Sequence, residues 1–276
     1  MDKPRVAVFG AGPSAAYINA ACKVRQITPD IYTVKKIGGP GGAFWLRLSP
    51  FKVLPTEKIH MLSVGTSEGY MVKQWGENHS KMNSSFTHKP RVEYGYNPVH
   101  VWDSLWEGAN IIYTEPITDK LASIKASEYD IVFMTFPTED SRNEQSEFLI
   151  STPIVFFDSP WSVNNTVIYN GETGHIVRLS MLFGQTYIEH SNKYTPDASL
   201  YNAGKLVFFS DLHPETPVWN PYFVPADNVV LVGRYAEWDR KILSHEAYSK
   251  VLVTLDLLES TGRILKDARR PAEKTV

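Results

Sequence analysis

The stretch VAVFGAGPSAAYINAACKVRQITPDIYTVKKIGGPGG, residues 6–42, decides how the rest of the sequence is read. Val6, Val8 and Phe9 make a short strand of buried type that ends at Gly10. SAAYINAACKVRQ, residues 14–26, follows as a helix with Ala15, Ile18, Ala21 and Cys22 on one face. Residues that small let a helix lie close to a sheet. A turn at ITPD leads into a second strand, Ile31 to Val34. Strand, helix and strand within the first 35 residues form a βαβ unit, whose parallel crossover is right-handed.

Gly10-Ala11-Gly12-Pro13-Ser14-Ala15 fits the pattern G-x-G-x-x-G/A. The first glycine permits the tight turn, the second lets phosphate oxygens approach the backbone, and the third small residue lets helix and strand touch. The helix amides then face the pyrophosphate of a dinucleotide. In such units an acid at the end of the second strand holds the ribose hydroxyls, but this sequence carries Lys35 there. A lysine suits a ribose 2′-phosphate, which would mean NADP, or marks a ribose held in another way. Gly41-Gly42 stands six and seven residues beyond Lys35.

Working outward, residues 43–110 show no dominant periodicity and alternate turn residues, tryptophans and short helical pieces. Strands are expected at Ile111–Tyr113 and Tyr129–Thr135, then at 153–157, 165–169, 175–183 and 205–209, the last four suggesting an antiparallel sheet. NVVLVGRY closes with a buried strand, 228–232, ending in Gly233. A long helix from residue 242 follows, with Ala247, Val251, Leu255 and Leu258 at helical spacing.

The quoted stretch and two later segments together resemble the FAD-dependent oxidoreductase superfamily that contains amine oxidases, glycine-oxidase-like enzymes and UDP-galactopyranose mutase. Tyr129-Asp130-Ile131-Val132-Phe133-Met134-Thr135-Phe136-Pro137 is similar to that family's aspartate, apolar strand, threonine, proline segment. Asn228 to Tyr235 is similar to its C-terminal strand, and Gly233-Arg234-Tyr235 followed by Trp238 and Asp239 lies nearest the mutase branch. The resemblance covers residues 5–42, 109–137 and 227–258. It implies FAD as cofactor, held by Gly10, Gly12, Pro13, Ser14, Ala15, Lys35, Gly41, Gly42, Thr135, Gly233, Arg234 and Tyr235. It further implies an α/β fold: a Rossmann-like FAD-binding domain of 1–42, 109–137 and 227–276, with an inserted, largely antiparallel β substrate region of 43–108 and 138–226. Trp45, Arg47 and Trp238 are the candidates near the flavin, and Lys73, Gln74 and Trp75 are weaker ones on the substrate side.

Composition narrows the function classes. Hydrophobic residues make up 43% and charged residues 21%, as in ordinary globular proteins. Cys22 is the single cysteine, so an intrachain disulfide and a four-cysteine zinc site are both excluded, which suggests a reducing compartment. No apolar run approaches the roughly 20 residues that span a bilayer. With no signal-type segment ahead of the first strand, the sequence reads as cytoplasmic. The eight histidines, His175, His190 and His213 among them, show no metal-ligand spacing, so no metal is expected. Net charge is −2, yet residues 35–91 carry nine Lys/Arg against three acids. Aromatic residues interleave those charges, a mixture that can neutralise phosphates and stack bases.

Four functions follow as expectations. The first is a flavoenzyme that oxidises or cleaves a C–N bond of an amine or amino-acid-like group. One version of it places that group on a modified DNA base, as in the small phage flavoproteins of thymidine hypermodification, with nucleic acid held through residues 35–91. The others are a sugar-nucleotide mutase, disfavoured by its greater length and its need for clamping arginines, a non-catalytic nucleotide-binding protein, and an NADP-dependent reductase.

Overall fold

The computed structural model describes residues 3–34, 36–37, 45–51, 54–75, 86, 89–115, 126–136, 149–158, 165–191, 193–194, 196, 205–212, 227–234, 236–237 and 242–261. The chain divides into two compact units. One comprises Met1–Gly39, Trp102–Glu144 and Pro217–Val276, the other Pro40–Val101 and Gln145–Thr216.

The first unit is built on a parallel sheet of β1 (Val6–Phe9), β2 (Asp30–Thr33), β5 (Asn110–Tyr113), β6 (Ile131–Met134) and β12 (Val229–Leu231), in the order β12-β6-β1-β2-β5. Val6 pairs with Ile131, Ala7 with Asp30 and Val229 with Val132. β1 and β6 are buried at every position. That is why VAVF and IVFM read as continuous apolar runs rather than alternating ones. Helix α1 (Pro13–Val24) is buried from Ala15 to Cys22, and α4 (Glu246–Thr261) buries Ala247, Val251, Thr254 and Leu255. The helix face expected from sequence is therefore part of a wider buried surface. Burial also pushes the Cys22 thiol up to about 12, which keeps it protonated and unreactive.

Asn19 is the polar exception inside α1. Its Nδ2 donates to Leu105 O at 2.7 Å and Glu107 O at 3.3 Å, satisfying carbonyls at the C-terminal end of α3 (Pro98–Trp106). Asn19→Ala leaves these groups without their donor and should cost about 1–3 kcal/mol, read as a lower denaturation midpoint. On the opposite face of the sheet, Phe9 stacks on Tyr32 with ring centroids 5.0 Å apart. Tyr129 Oη lies 2.7 Å from Tyr32 Oη and donates to Asp30 Oδ2 at 2.6 Å, tying β2 to the segment that enters β6.

The second unit holds a seven-stranded sheet in the order β11-β7-β10-β9-β8-β3-β4. Its strands are β3 (Glu57–Gly65), β4 (Arg91–Gly95), β7 (Leu149–Asp158), β8 (Thr166–Gly171), β9 (Ile176–Leu182), β10 (Gln185–His190) and β11 (Lys205–Leu212). Every pairing is antiparallel except β3 with β8. Three strands, β3, β4 and β10, were not expected from sequence. In β3 only Ile59 and Met61 are buried, so the period-2 pattern is too short to stand out. β10 follows β9 through Phe183-Gly184, both at positive φ, and phenylalanine is not a residue that announces such a hairpin turn. Helix α2 (Ser67–Trp75) packs on this sheet, where Tyr70 and Met71 join Ile59, Met61, Val167, Tyr169 and Leu182 in one core.

Candidate functional site

From β1 the chain runs to β2 and β5 on one side of the parallel sheet, then returns to β6 and β12 on the other. The reversal between β1 and β6 is a topological switch point, and ligands bind such sheets in the crevice beyond the strands' carboxyl ends. Three turns lead from those ends: Gly10 after β1, Thr135 after β6 and Gly233 after β12.

Packing fixes each turn. Thr135 N and Thr135 Oγ1 both donate to Phe9 O, at 3.0 and 2.8 Å, and Gly10 N donates to Tyr32 O at 2.9 Å. Gly10 has φ +100°, and a Cβ there would overlap Thr135 Oγ1. Gly233 has φ +95°, and a Cβ there would overlap Ser14 Oγ and sit 2.9 Å from Ser14 Cβ. Backbone after β12 therefore lies directly against the first turn of α1.

Gly12 differs from both. Its backbone is extended, φ −87° and ψ −174°, a conformation open to any residue and favoured ahead of Pro13. Among the described residues, a Cβ on Gly12 would have no atom within 4 Å. Neither the backbone nor its described neighbours call for glycine here. Gly12 is also the N-cap of α1, makes no side-chain capping bond, and is followed by a first turn with no acid. Amides at that helix end are thus available to an anion and sit at the positive end of the helix dipole. An uncapped helix terminus, open space at Gly12 and a backbone wall at Gly233 suit the diphosphate of a dinucleotide.

Arg234 is half-buried beside this wall. Lys35, Gly41, Gly42, Tyr235 and Trp238 lie outside the described residues, as do Lys52 and His213. Trp45 and Arg47 belong to the second unit. Trp45 packs so closely on Gly95 that a Cβ there would overlap its ring, and Arg47 forms an ion pair with Glu93 at 3.1 Å. Arg91 pairs with the same carboxylate at 3.0 Å. Lys73 donates to Glu172 O and Ile176 O at 2.8 and 2.7 Å, and burial pushes its pKa down. These three basic residues of the 35–91 segment are engaged with protein groups. Among the described residues no cluster of three or more His, Cys, Asp or Glu could hold a metal ion, and no helix is long and apolar enough to cross a membrane.

No protein-family model matches the sequence, and no curated protein matches it. Solved structures match over nearly the whole chain. A reduced UDP-galactopyranose mutase shares 10% identity at a TM-score of 0.55, covering 94% of this chain and 94% of its own. PqsL of P. aeruginosa in complex with 2-aminobenzoylacetate shares 11% identity at 0.53, covering 96% of this chain and 89% of its own. Glycerol-3-phosphate dehydrogenase from Bacillus halodurans complexed with FAD shares 13% at 0.50, covering 95% of this chain, which spans 66% of that protein's. The fold is that of FAD-binding, Rossmann-like flavoproteins. At these identities the likeness is one of fold.

Proposed function

We propose that this protein is a flavoenzyme that holds FAD in the first unit and oxidises or cleaves a C–N bond of a small amine or amino-acid-like substrate, with the second unit on the substrate side. The observation that carries the cofactor assignment is the open space at Gly12, at the uncapped end of α1 and beside the Ser14–Gly233 contact. In this reading the first-turn amides of α1 bind the diphosphate. Ser14 and Gly233 form its wall, and Gly10, braced by Thr135, sets the approach of the chain to it. Lys35 meets the ribose, Gly41-Gly42 lets the backbone pass close to the ribityl chain, and Arg234 and Tyr235 complete the site. When bound, FAD supplies the acceptor for the hydride that such an oxidation releases. The protein is left to bind and orient the substrate, which is why few reactive side chains are needed. The amine class rests on the sequence resemblance to the amine-oxidase and glycine-oxidase-like branch.

The test begins with the purified protein: it should be yellow and release FAD on denaturation. Reduction of that flavin by a panel of amines and amino acids under anaerobic conditions then tests the substrate class, with a UDP-sugar as the mutase control. Release of NADP in place of FAD would overturn the cofactor assignment.

A substrate attached to DNA is less well supported, because Arg47 and Arg91 share Glu93 and Lys73 binds carbonyls. Each duplex phosphate neutralised contributes a salt slope of about 0.9. With these residues engaged, a labelled duplex should bind weakly at low salt and with a shallow slope. Tight binding with a slope of roughly four or more would restore the DNA-linked substrate.

A further inference from the structure

One ion pair in the first unit holds both ends of the segment that forms the diphosphate wall. Lys250, in the second turn of α4, donates to Leu231 O at 2.8 Å and pairs with Glu237 Oε2 at 2.7 Å. The other oxygen of that carboxylate, Glu237 Oε1, accepts from Gly233 N at 2.9 Å, while Glu237 N donates to Gly233 O at 2.9 Å. The carbonyl at the end of β12 and the amide of Gly233 are thereby both fixed to one side chain of α4. That helix is in turn tied to α1 by the Arg25–Asp256 ion pair.

A carboxylate is an odd group to place here. Gly233 touches Ser14, so the chain of contacts puts Glu237 Oε1 within roughly 8 Å of the Ser14 side chain, from ordinary bond lengths. With a Debye length of about 8–10 Å, a carboxylate at that distance from Ser14 would be only partly screened from an anion seated at the start of α1. Glu237 and Lys250 have side chains 23% and 24% exposed, so the pair is only partly screened by water. We propose that Glu237 and Lys250 are positioning residues of the cofactor site: Glu237 holds the Gly233 turn against α1, and Lys250 neutralises the carboxylate that would otherwise repel the cofactor's diphosphate. The inference rests on the reading of this site as an FAD site.

It is tested by the affinity of flavin-free protein for FAD, read by quenching of flavin fluorescence at low and high salt. The variants are Glu237→Gln, Lys250→Met, Lys250→Arg and the double Glu237→Gln/Lys250→Met. Lys250→Met leaves an uncompensated carboxylate near the diphosphate and should weaken FAD binding by about tenfold or more at low salt, with the deficit shrinking as salt rises. Lys250→Arg keeps the charge and should bind within about threefold of the parent.

Glu237→Gln still offers an oxygen to Gly233 N–H and leaves Lys250 as a net positive charge, so it should bind FAD as tightly as the parent or a few-fold tighter at low salt. The double variant should recover most of the loss seen in Lys250→Met. A brace without an electrostatic role predicts a different pattern: Glu237→Gln no tighter than the parent at any salt concentration, the double no better than Lys250→Met, and no dependence on salt. That pattern would overturn the inference. Should Lys250→Met fail to fold, Glu237→Gln decides through its salt dependence: FAD binding tighter than the parent at low salt and equal at high salt supports the inference, and binding equal to or weaker than the parent at both overturns it. Parent protein that does not bind FAD overturns the cofactor reading and this inference with it, whereas a binding parent with additive, salt-independent variants overturns the inference alone.

Discussion

Gly12→Val should give a folded protein that purifies without flavin. The extended backbone at Gly12 accepts a β-branched residue, and its Cβ would meet no atom of the described residues within 4 Å. Stability of the flavin-free form should therefore change by no more than about 0.5 kcal/mol, as at an ordinary surface site. The same side chain fills the space from which a phosphate would reach the α1 amides. Losing even two hydrogen bonds to a charged group, at about 1.5–3 kcal/mol each, weakens binding by roughly a hundredfold or more. The absorbance ratio of flavin to protein, together with the melting curve of flavin-free protein, reads both halves of the result. Full flavin content in the variant would remove the main support for the cofactor site.

Gly171→Ala should have the opposite profile, a large loss of stability caused by packing. At the end of β8 a Cβ on Gly171 would overlap Thr66 O and lie 2.6 Å from Thr66 N. Gly69 on α2 faces the same strand, and a Cβ there would overlap Gly171 O. The obstacles are backbone atoms, which cannot rotate aside as a long side chain can. Relief requires α2 to move off β8, disturbing the core in which Tyr70 meets Tyr169 edge-on at 5.5 Å. A cost of about 3 kcal/mol is expected, at the upper end for overpacking. Chemical denaturation of Gly171→Ala beside Gly12→Ala measures it, since the second variant adds the same methyl group in open space. Equal midpoints for the two would contradict the close approach of α2 to β8.

How much of this was legible before folding depended on the range of the interactions involved. The first βαβ unit was readable because its determinants are local: an apolar run for a doubly buried strand, glycines at the turn, and alanines where the helix nears the sheet. The strands at 131–134 and 229–231 were readable for the same reason, being short apolar runs ended by a turn residue. β3 was not, since its two buried positions depend on α2 packing over it and on β8 pairing beside it. The Phe183-Gly184 hairpin was not, because its turn is held by Asn165 Oδ1 accepting from Phe183 N, a contact 18 residues away in sequence.

Within the site the division is the same. Sequence alone determined that a G-x-G-x-x-A turn follows a strand and opens a helix, that a lysine stands where an acid is usual, and that the single cysteine allows no intrachain disulfide. Those facts are matters of residue type and near spacing, and they select a dinucleotide-binding turn whatever the remainder does. Only the tertiary structure decided that Gly10 is closed off by Thr135, that Gly233 lies against Ser14, and that, among the described residues, nothing closes off Gly12. It likewise decided that Glu237 and Lys250, 13 positions apart on different elements, converge on one turn. The physical reason is that a parallel sheet brings together the ends of strands far apart in the chain, so which backbone atoms collide and which leave a cavity is set by strand order.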